Sequence, residues 1–467
     1  MLNLFVNAKD AGSQRTIALH AVLAKDIEQF LISRSPKEAR WLRATGFAGK
    51  DGELGLIPGE GESLAAAVLG LGPGRDPHAA ALFSERLPPG LYTLGEVPAA
   101  FGGARAAYAW AIGTYAFERY RKKNGPAKER ARLVLPPGVD GEMVSRLAEG
   151  VFLARDLINT PANDMGPVEL EAAARSVAEN SGARMKTIIG AALLTENYPM
   201  IHAVGRASDR EPRLIDFTWG KDSHPKVTLV GKGVCFDTGG LDLKNSAGML
   251  TMKKDMGGAA CVLGLAKMIM EAELPVRLRV MIPAVENSVS GSSFRPGDVL
   301  MSRKGLSVEI ANTDAEGRVI LADALAEADL ENPALLVCMA TLTGAARAAT
   351  GMELPPFFTD DEDLAADLMR HGNAENDPLW RLPLWRSYEP VVDSSIADIN
   401  NAPEYGLAGA ITAALFINRF ITKTKSWAHF DIPAWIDRPK PGRRKGAEAN
   451  AIRALYALIA ARYGKPA

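Results

Sequence analysis

From about residue 160 onward, short apolar runs alternate with helical patterns, and this alternation restricts the fold more than any other feature of the chain. Val227–Val230, Arg279–Ile282, Val308–Ala311 and Leu335–Ala340 read as buried strands. Helical periodicity runs from about 168 to 180, 257 to 272, 319 to 330 and 408 to 421. Alternation of this kind predicts an α/β fold: a mostly parallel central sheet flanked by helices. Open sheets of that type carry their chemistry just beyond the carboxyl ends of the strands.

At 467 residues the chain exceeds one ordinary domain. The first part mixes short strand-like pieces, such as Glu53–Ile57 and Ser63–Gly70, with a helical pattern over Ala106–Phe117. This reads as a smaller N-terminal α/β domain without a catalytic cluster. A helix is expected from Gly141 to Asn159, stopping before Thr160-Pro161. The boundary is placed there: residues 1–150 form the N-terminal domain with the connecting helix at its end, and 151–467 the larger, catalytic domain.

Two stretches hold most of the chemistry. Asn312-Thr-Asp-Ala-Glu-Gly-Arg318 packs two carboxylates and a guanidinium between an apolar run and a helical pattern. About eighty residues earlier, the strand Val227–Val230 runs into Lys232-Gly-Val-Cys-Phe-Asp237-Thr-Gly-Gly240, then Lys244, then Asp255 where an apolar helix begins. Glycines there let the backbone approach whatever the loop holds. Asp237, Asp255, Asp314 and Glu316, with Lys232, Lys244 and Arg318, make a candidate carboxylate-bridged two-metal site. All four acids are expected at strand-to-loop junctions of one sheet.

Each of these residues has a plainer role open to it. Asp255 suits a helix N-terminus, Arg318 can pair with Glu316, and Thr341–Gly344 can be an ordinary turn. A lysine between glycines is usually a surface charge, so spacing alone does not make Lys232 a ligand. Beside a divalent cation its neutral amine could coordinate. Arg318 and Lys244 are placed to stabilise an oxyanion or anchor an anion. The six histidines include no His-Glu-x-x-His pair, so carboxylates must hold any metal. His429 is read as structural.

Bulk properties narrow the setting. Lys+Arg (54) and Asp+Glu (55) nearly cancel, which gives no support to wholesale binding of nucleic acid or acidic membranes. The basic run Arg438–Lys445 is read as a solvated loop. Three cysteines in apolar surroundings, an odd count, argue for a reducing compartment. No signal-peptide pattern opens the chain, and no apolar run is long enough for a bilayer. A cytoplasmic location is expected.

The motifs together resemble the cytosolic leucine aminopeptidase family. Asn312–Arg318 is similar to its signature. Val230–Gly240 and Asp255-Met-Gly-Gly-Ala-Ala260 match its other metal-site segments. Further matches are Arg155–Asp164, Arg295-Pro-Gly-Asp298, Thr341-Leu-Thr-Gly344, Ala408–Ala413 and Trp427-Ala-His429. They span roughly residues 151 to 436 in consistent order. The first 150 residues carry little recognisable sequence.

The resemblance implies a leucyl aminopeptidase with two zinc or manganese ions per subunit. Asp237 and Glu316 would bridge both ions, Asp314 would complete one site, and Lys232 and Asp255 the other. Lys244 and Arg318 match the catalytic pair, with a bicarbonate held at Arg318 as general base. Met252, Thr341, Leu342 and Gly344 fall where the family binds substrate. A metal-activated water would attack the first peptide bond of substrates with a free N-terminus, without a covalent acyl-enzyme. A homohexamer is also implied. Two segments depart from the family pattern: Asp431-Ile-Pro-Ala434 stands for Asp-Ile-Ala-Gly, beside the pocket for the first side chain, and Gly446-Ala-Glu-Ala449 for Gly-Ala-Thr-Gly. The competing readings are a two-metal phosphoesterase, which lacks a phosphate cradle here, and a non-catalytic binding or DNA-binding regulator of the same fold.

Overall fold

The computed structural model describes residues 2–12, 14–61, 63–122 and 129–464. They divide into two units: residues up to Phe152 with Arg438–Arg444, and Leu153–Asp437 with the chain from Lys445 onward. The helix Gly141–Asn159 carries the chain from one to the other.

The first unit holds six strands: β1 (Phe5–Val6), β2 (Ile17–Val22), β3 (Leu54–Pro58), β4 (Leu64–Gly70), β5 (Gly90–Leu94) and β6 (Ala131–Val134). Their order is β1-β6-β5-β2-β4-β3, with only β3 antiparallel to its neighbour. Phe30, Leu42, Phe47, Ile57 and Val68 are buried together on one part of this sheet. Burying side chains of this size contributes roughly 1.5–3 kcal/mol each. The basic run is less free than expected. Within this unit Arg443 pairs with Asp76 at 2.9 Å, and the Gly442 N–H donates to Glu85 at 2.7 Å.

The second unit is built on β7 (Arg184–Ile189), β8 (Arg213–Trp219), β9 (Lys226–Gly231), β10 (Gly233–Asp237) and β11 (Arg277–Asn287). The strands β12 (Val299–Met301), β13 (Ser307–Glu309), β14 (Leu335–Ala340), β15 (Pro356–Phe358), β16 (Trp380–Arg381), β17 (Ile399–Asn400) and β18 (Trp427–Asp431) follow. The main sheet runs β16-β15-β18-β14-β9-β11-β8-β7, and its centre, β18-β14-β9-β11, is parallel. Leu335–Ala340 is buried at every position, as a parallel strand covered on both faces requires. The helix Gly257–Glu271 begins Gly-Gly-Ala-Ala because it lies against the sheet. A Cβ on Gly258 would stand 2.1 Å from the Met339 carbonyl oxygen.

Two details differ from expectation. The segment after Lys232 is not all loop, since the strand resumes as β10. The strand before Asn312 also lies outside the main sheet: β13 belongs to a separate sheet of order β12-β13-β17. Asp314 and Glu316 therefore reach the site from a different sheet than Asp237. No helix among the described residues is long and apolar enough to cross a membrane.

Candidate metal centre

Lys232 is the single residue between β9 and β10, which both pair in parallel with β11. The break is tied on both sides: the Lys232 N–H donates to the Met339 carbonyl at 3.0 Å, and its own carbonyl accepts from the Ala259 N–H at 2.9 Å. Its side chain is turned inward and is only 3% exposed. Gly317 makes room for the stem, because a Cβ there would stand 2.5 Å from Lys232 Cε. The Nζ donates to the Thr341 carbonyl at 3.0 Å and lies 2.7 Å from Asp255 Oδ2 and 2.8 Å from Glu316 Oε1.

The acids arrive from three directions. Asp237 closes β10, and its Oδ1 accepts from the Gly239 N–H at 2.8 Å and Asn287 Nδ2 at 2.9 Å. Asp255 sits in the turn Met252–Met256 ahead of the helix Gly257–Glu271, and its Oδ1 accepts from Thr341 Oγ1 at 2.8 Å. Glu316 opens the helix Glu316–Leu330 and is buried. One oxygen from each of these three carboxylates lies within 4.8 Å of the others. Asp314, half-exposed, reaches the cluster through Lys244, whose Nζ contacts it and stands 2.8 Å from Asp237 Oδ2. Arg318 is buried, its Nη1 donating to the Asn401 carbonyl at 2.6 Å.

The charge on these groups is out of balance. Burial, then the neighbouring Asp237 and Asp255, push the Glu316 carboxyl well above the usual range despite Lys232. Burial and Asp255 likewise push Asp237 up to about 6, against the pull of Lys244 and Lys232. Burial also acts to raise Asp255, but Lys232 and Lys254 outweigh it and hold that carboxyl low. Lys232 and Lys244 feel burial first, and the acids still hold them above the ordinary lysine range. Asp255 Oδ2 and Glu316 Oε1 are buried without a hydrogen bond; Lys232 is at ion-pair distance from both but not in hydrogen-bond geometry. A set of hard oxygen donors and one amine, carrying more negative charge than two lysines neutralise, fits divalent cations.

A cavity of about 410 Å³ opens over this cluster. Met252, Thr341, Leu342 and Gly344 line it beside Lys232, Asp237, Lys244, Asp255, Asp314 and Arg318, while Glu316 does not reach its surface. His429 lies on β18 outside the lining, stacked on Phe358 with ring centroids 5.9 Å apart.

The family model for the cytosol aminopeptidase catalytic domain matches residues 152–456. The chain belongs to the cytosol aminopeptidase family. The M17 aminopeptidase N-terminal domain model matches residues 17–136, so the family relationship extends into the part whose sequence carried little resemblance. The probable cytosol aminopeptidase of Roseiflexus castenholzii is 40% identical over 363 residues, 74% of each chain. The crystal structure of the cytosol aminopeptidase from Coxiella burnetii superposes with a TM-score of 0.91 at 44% identity, over 99% of this chain and 100% of that one. The bottromycin maturation enzyme BotP in complex with Mn gives a TM-score of 0.86 at 31% identity, over 96% and 99%. As a member of the cytosol aminopeptidase family the chain is a metal-dependent aminopeptidase, and these comparisons lend no support to a non-catalytic regulator.

Several residues of this candidate site escaped the sequence reading. Asn287 bridges Asp237 and the Thr313 carbonyl, at 2.9 and 3.0 Å. Asn401 accepts from the Ala311 N–H at 2.9 Å and donates to the Asn312 carbonyl at 2.8 Å, fixing the turn that carries Asp314. Asp431 accepts from the N–H groups of Leu342 and Thr343 and from Thr343 Oγ1, which shapes the Thr341–Gly344 loop. Lys254 and Arg347 also line the cavity. Asp431 alone carried a signal, as the first residue of a segment that departs from the family pattern.

Proposed function

We propose that the chain is a two-metal leucyl aminopeptidase that works on peptides with a free N-terminus. The convergence of Asp237, Asp255 and Glu316 within 4.8 Å, with the Nζ of Lys232 against Asp255 and Glu316, is the observation that supports this reading most. Asp237 and Glu316 are assigned to both ions, Asp314 to one, and Lys232 and Asp255 to the other. Zinc or manganese is the expected metal. When bound, the two ions lower the pKa of a water and polarise the scissile carbonyl.

The chain's own groups do the rest. Asp255 stands where the substrate's free amino group is recognised, which limits cleavage to the first residue. Lys244, part-buried beside Asp237 and Asp314, donates to the oxyanion that forms at the carbonyl. Arg318 has a buried Nε without a hydrogen-bond partner, which suits it to an anion such as bicarbonate acting as general base. Met252 and Leu342 offer apolar surface to a leucine side chain, and the backbone of Thr341–Gly344 holds the peptide extended. A cytoplasmic homohexamer completes the proposal; exposed Leu243, Leu250 and Leu407 of the second unit are apolar surface that assembly would cover.

The test is hydrolysis of a panel of aminoacyl-p-nitroanilides by protein as purified, after chelation, and after return of Zn or Mn. Activity that vanishes with chelator, returns with metal alone and is greatest on leucine supports the proposal. A folded chain that turns over none of the panel with either metal would sink it.

A further inference from the structure

Lys254 precedes Asp255 in the turn Met252–Met256 and is only 4% exposed. It lines the 410 Å³ cavity together with Arg347, a half-buried residue of the helix Gly344–Thr350. Arg347 Nη2 lies 3.7 Å from where a Cβ on Gly344 would stand, so the guanidinium lies beside the substrate loop. The other lysines of the cavity are accounted for, since Lys232 and Lys244 each sit between two carboxylates. Lys254 and Arg347 have no such partner: among the described residues neither side chain makes an ion pair or a hydrogen bond.

The nearby acids are already engaged. Asp255 is held by Lys232 and Thr341. Asp431 is close enough to be felt by both cations, but its Oδ1 accepts from the Leu342 N–H at 2.9 Å and the Thr343 N–H at 3.1 Å, and its Oδ2 from Thr343 Oγ1 at 2.6 Å. Lys254 and Arg347 moreover repel each other. A buried ammonium without a partner is costly, and an apolar side chain would fill the same space without that cost. An anion that arrives with the substrate relieves both charges at once.

We propose that Lys254 and Arg347 form a subsite for a carboxylate of the peptide substrate. The inference rests on the aminopeptidase reading above and deepens it. Two sources supply that carboxylate: an acidic side chain on the first residue, or the free C-terminus of a dipeptide.

The experiment uses full-length, metal-loaded protein, as wild type and as Lys254→Met and Arg347→Gln variants. It compares kcat/KM for Glu- against Gln-p-nitroanilide, and for Leu-Gly against Leu-Gly-amide, with Leu-p-nitroanilide as reference. The wild type is expected to favour the carboxylate-bearing member of one pair by about tenfold, an advantage of the size that one charged contact gives. Lys254→Met brings that ratio close to one, mainly through KM, and Arg347→Gln reduces it. A preference in the first pair assigns the acidic side chain, and one in the second the terminal carboxylate. Equal rates within both pairs, a preference that survives both substitutions, or a loss spread evenly over all substrates would each overturn the proposal. Turnover of Leu-p-nitroanilide without carboxylate discrimination removes this proposal alone; no turnover of any substrate removes the parent reading with it.

Discussion

In the first unit the parallel strands β2, β4, β5 and β6 end at Val22, Gly70, Leu94 and Val134, and the next residues are Leu23, Leu71, Gly95 and Leu135. In the second, β10 ends on Asp237, and the turn after β13 delivers Asp314 and Glu316. Both units have a largely parallel sheet and both have a cavity. The larger one, about 650 Å³, is in the first unit, lined by Asn3, Gln14, Arg130 and Arg132 among others. Among the described residues no trio of metal-ligating side chains converges there, whereas Asp237, Asp255 and Glu316 converge in the second unit. Size of cavity therefore does not single out the candidate metal centre here. Charge that the fold buries without neutralising does, because such burial is costly unless a ligand completes it.

The sharpest test of that contrast is Glu316→Gln. It removes one negative charge from the fully buried end of the cluster. We expect kcat/KM to fall by about 10³–10⁴, or roughly 4–5.5 kcal/mol of transition-state stabilisation. The thermal midpoint should hold or rise, since a repelled carboxylate has gone. Retention of activity within tenfold of wild type would break the comparison.

The first unit should answer in the opposite way. Leu42 is fully buried among Phe30, Phe47, Ile57 and Val68. Leu42→Ala is expected to lower stability by about 2–5 kcal/mol in denaturant titration. The kcat/KM of the folded fraction should stay within about twofold. A catalytic loss on the scale of Glu316→Gln would mean that the first unit has a part in the chemistry.

Gly317→Ala probes packing at the site rather than charge. The added methyl would lie 2.5 Å from Lys232 Cε and 2.7 Å from its Nζ, so the lysine must move away from Asp255 and Glu316. An activity loss of about a hundredfold is expected, close to 2.7 kcal/mol, with lowered metal content by elemental analysis. Unchanged metal content and rate would show that Lys232 does not hold the site together.

Much of this site was legible because its residues crowd into short segments. Asn312–Arg318 combines two acids, an arginine and a glycine at the start of an apolar helical pattern, and few structural needs produce that mixture. The helix Gly141–Asn159 could likewise be read from its own residues. What stayed hidden depends on partners distant in sequence. The return of the strand after Lys232 is decided by β11, which pairs with both β9 and β10. Assignment of β13 to its own sheet is decided by Ile399 and Asn400, about ninety residues later. Asn287 and Asn401 are single amides whose role appears only when their partners are folded around them. Lys254 looks like one more charge in Lys253-Lys254-Asp255 until burial separates it from its neighbour.

The smallest expected effect concerns His429, a group of the second unit that is buried outside the lining of the candidate site. Burial is the main cause that pushes its pKa down to about 3, and the charge of Arg318 acts in the same direction. In the unfolded chain the same imidazole titrates near 6.5. Between those values the unfolded state binds the proton that the native state refuses. The stability this neutral histidine permits is therefore complete above pH 6.5 and is lost as pH falls toward 3, with a slope of up to about 1.4 kcal/mol per pH unit. His429→Phe keeps a ring against Phe358 and removes the titration. Its absolute stability will differ, because phenylalanine is larger than histidine. The readout is instead the slope of unfolding free energy between pH 6 and 4, which should flatten by up to one proton. If the variant keeps the wild-type slope, the acid sensitivity belongs to other groups, and the protons of the carboxylate cluster become the next to follow.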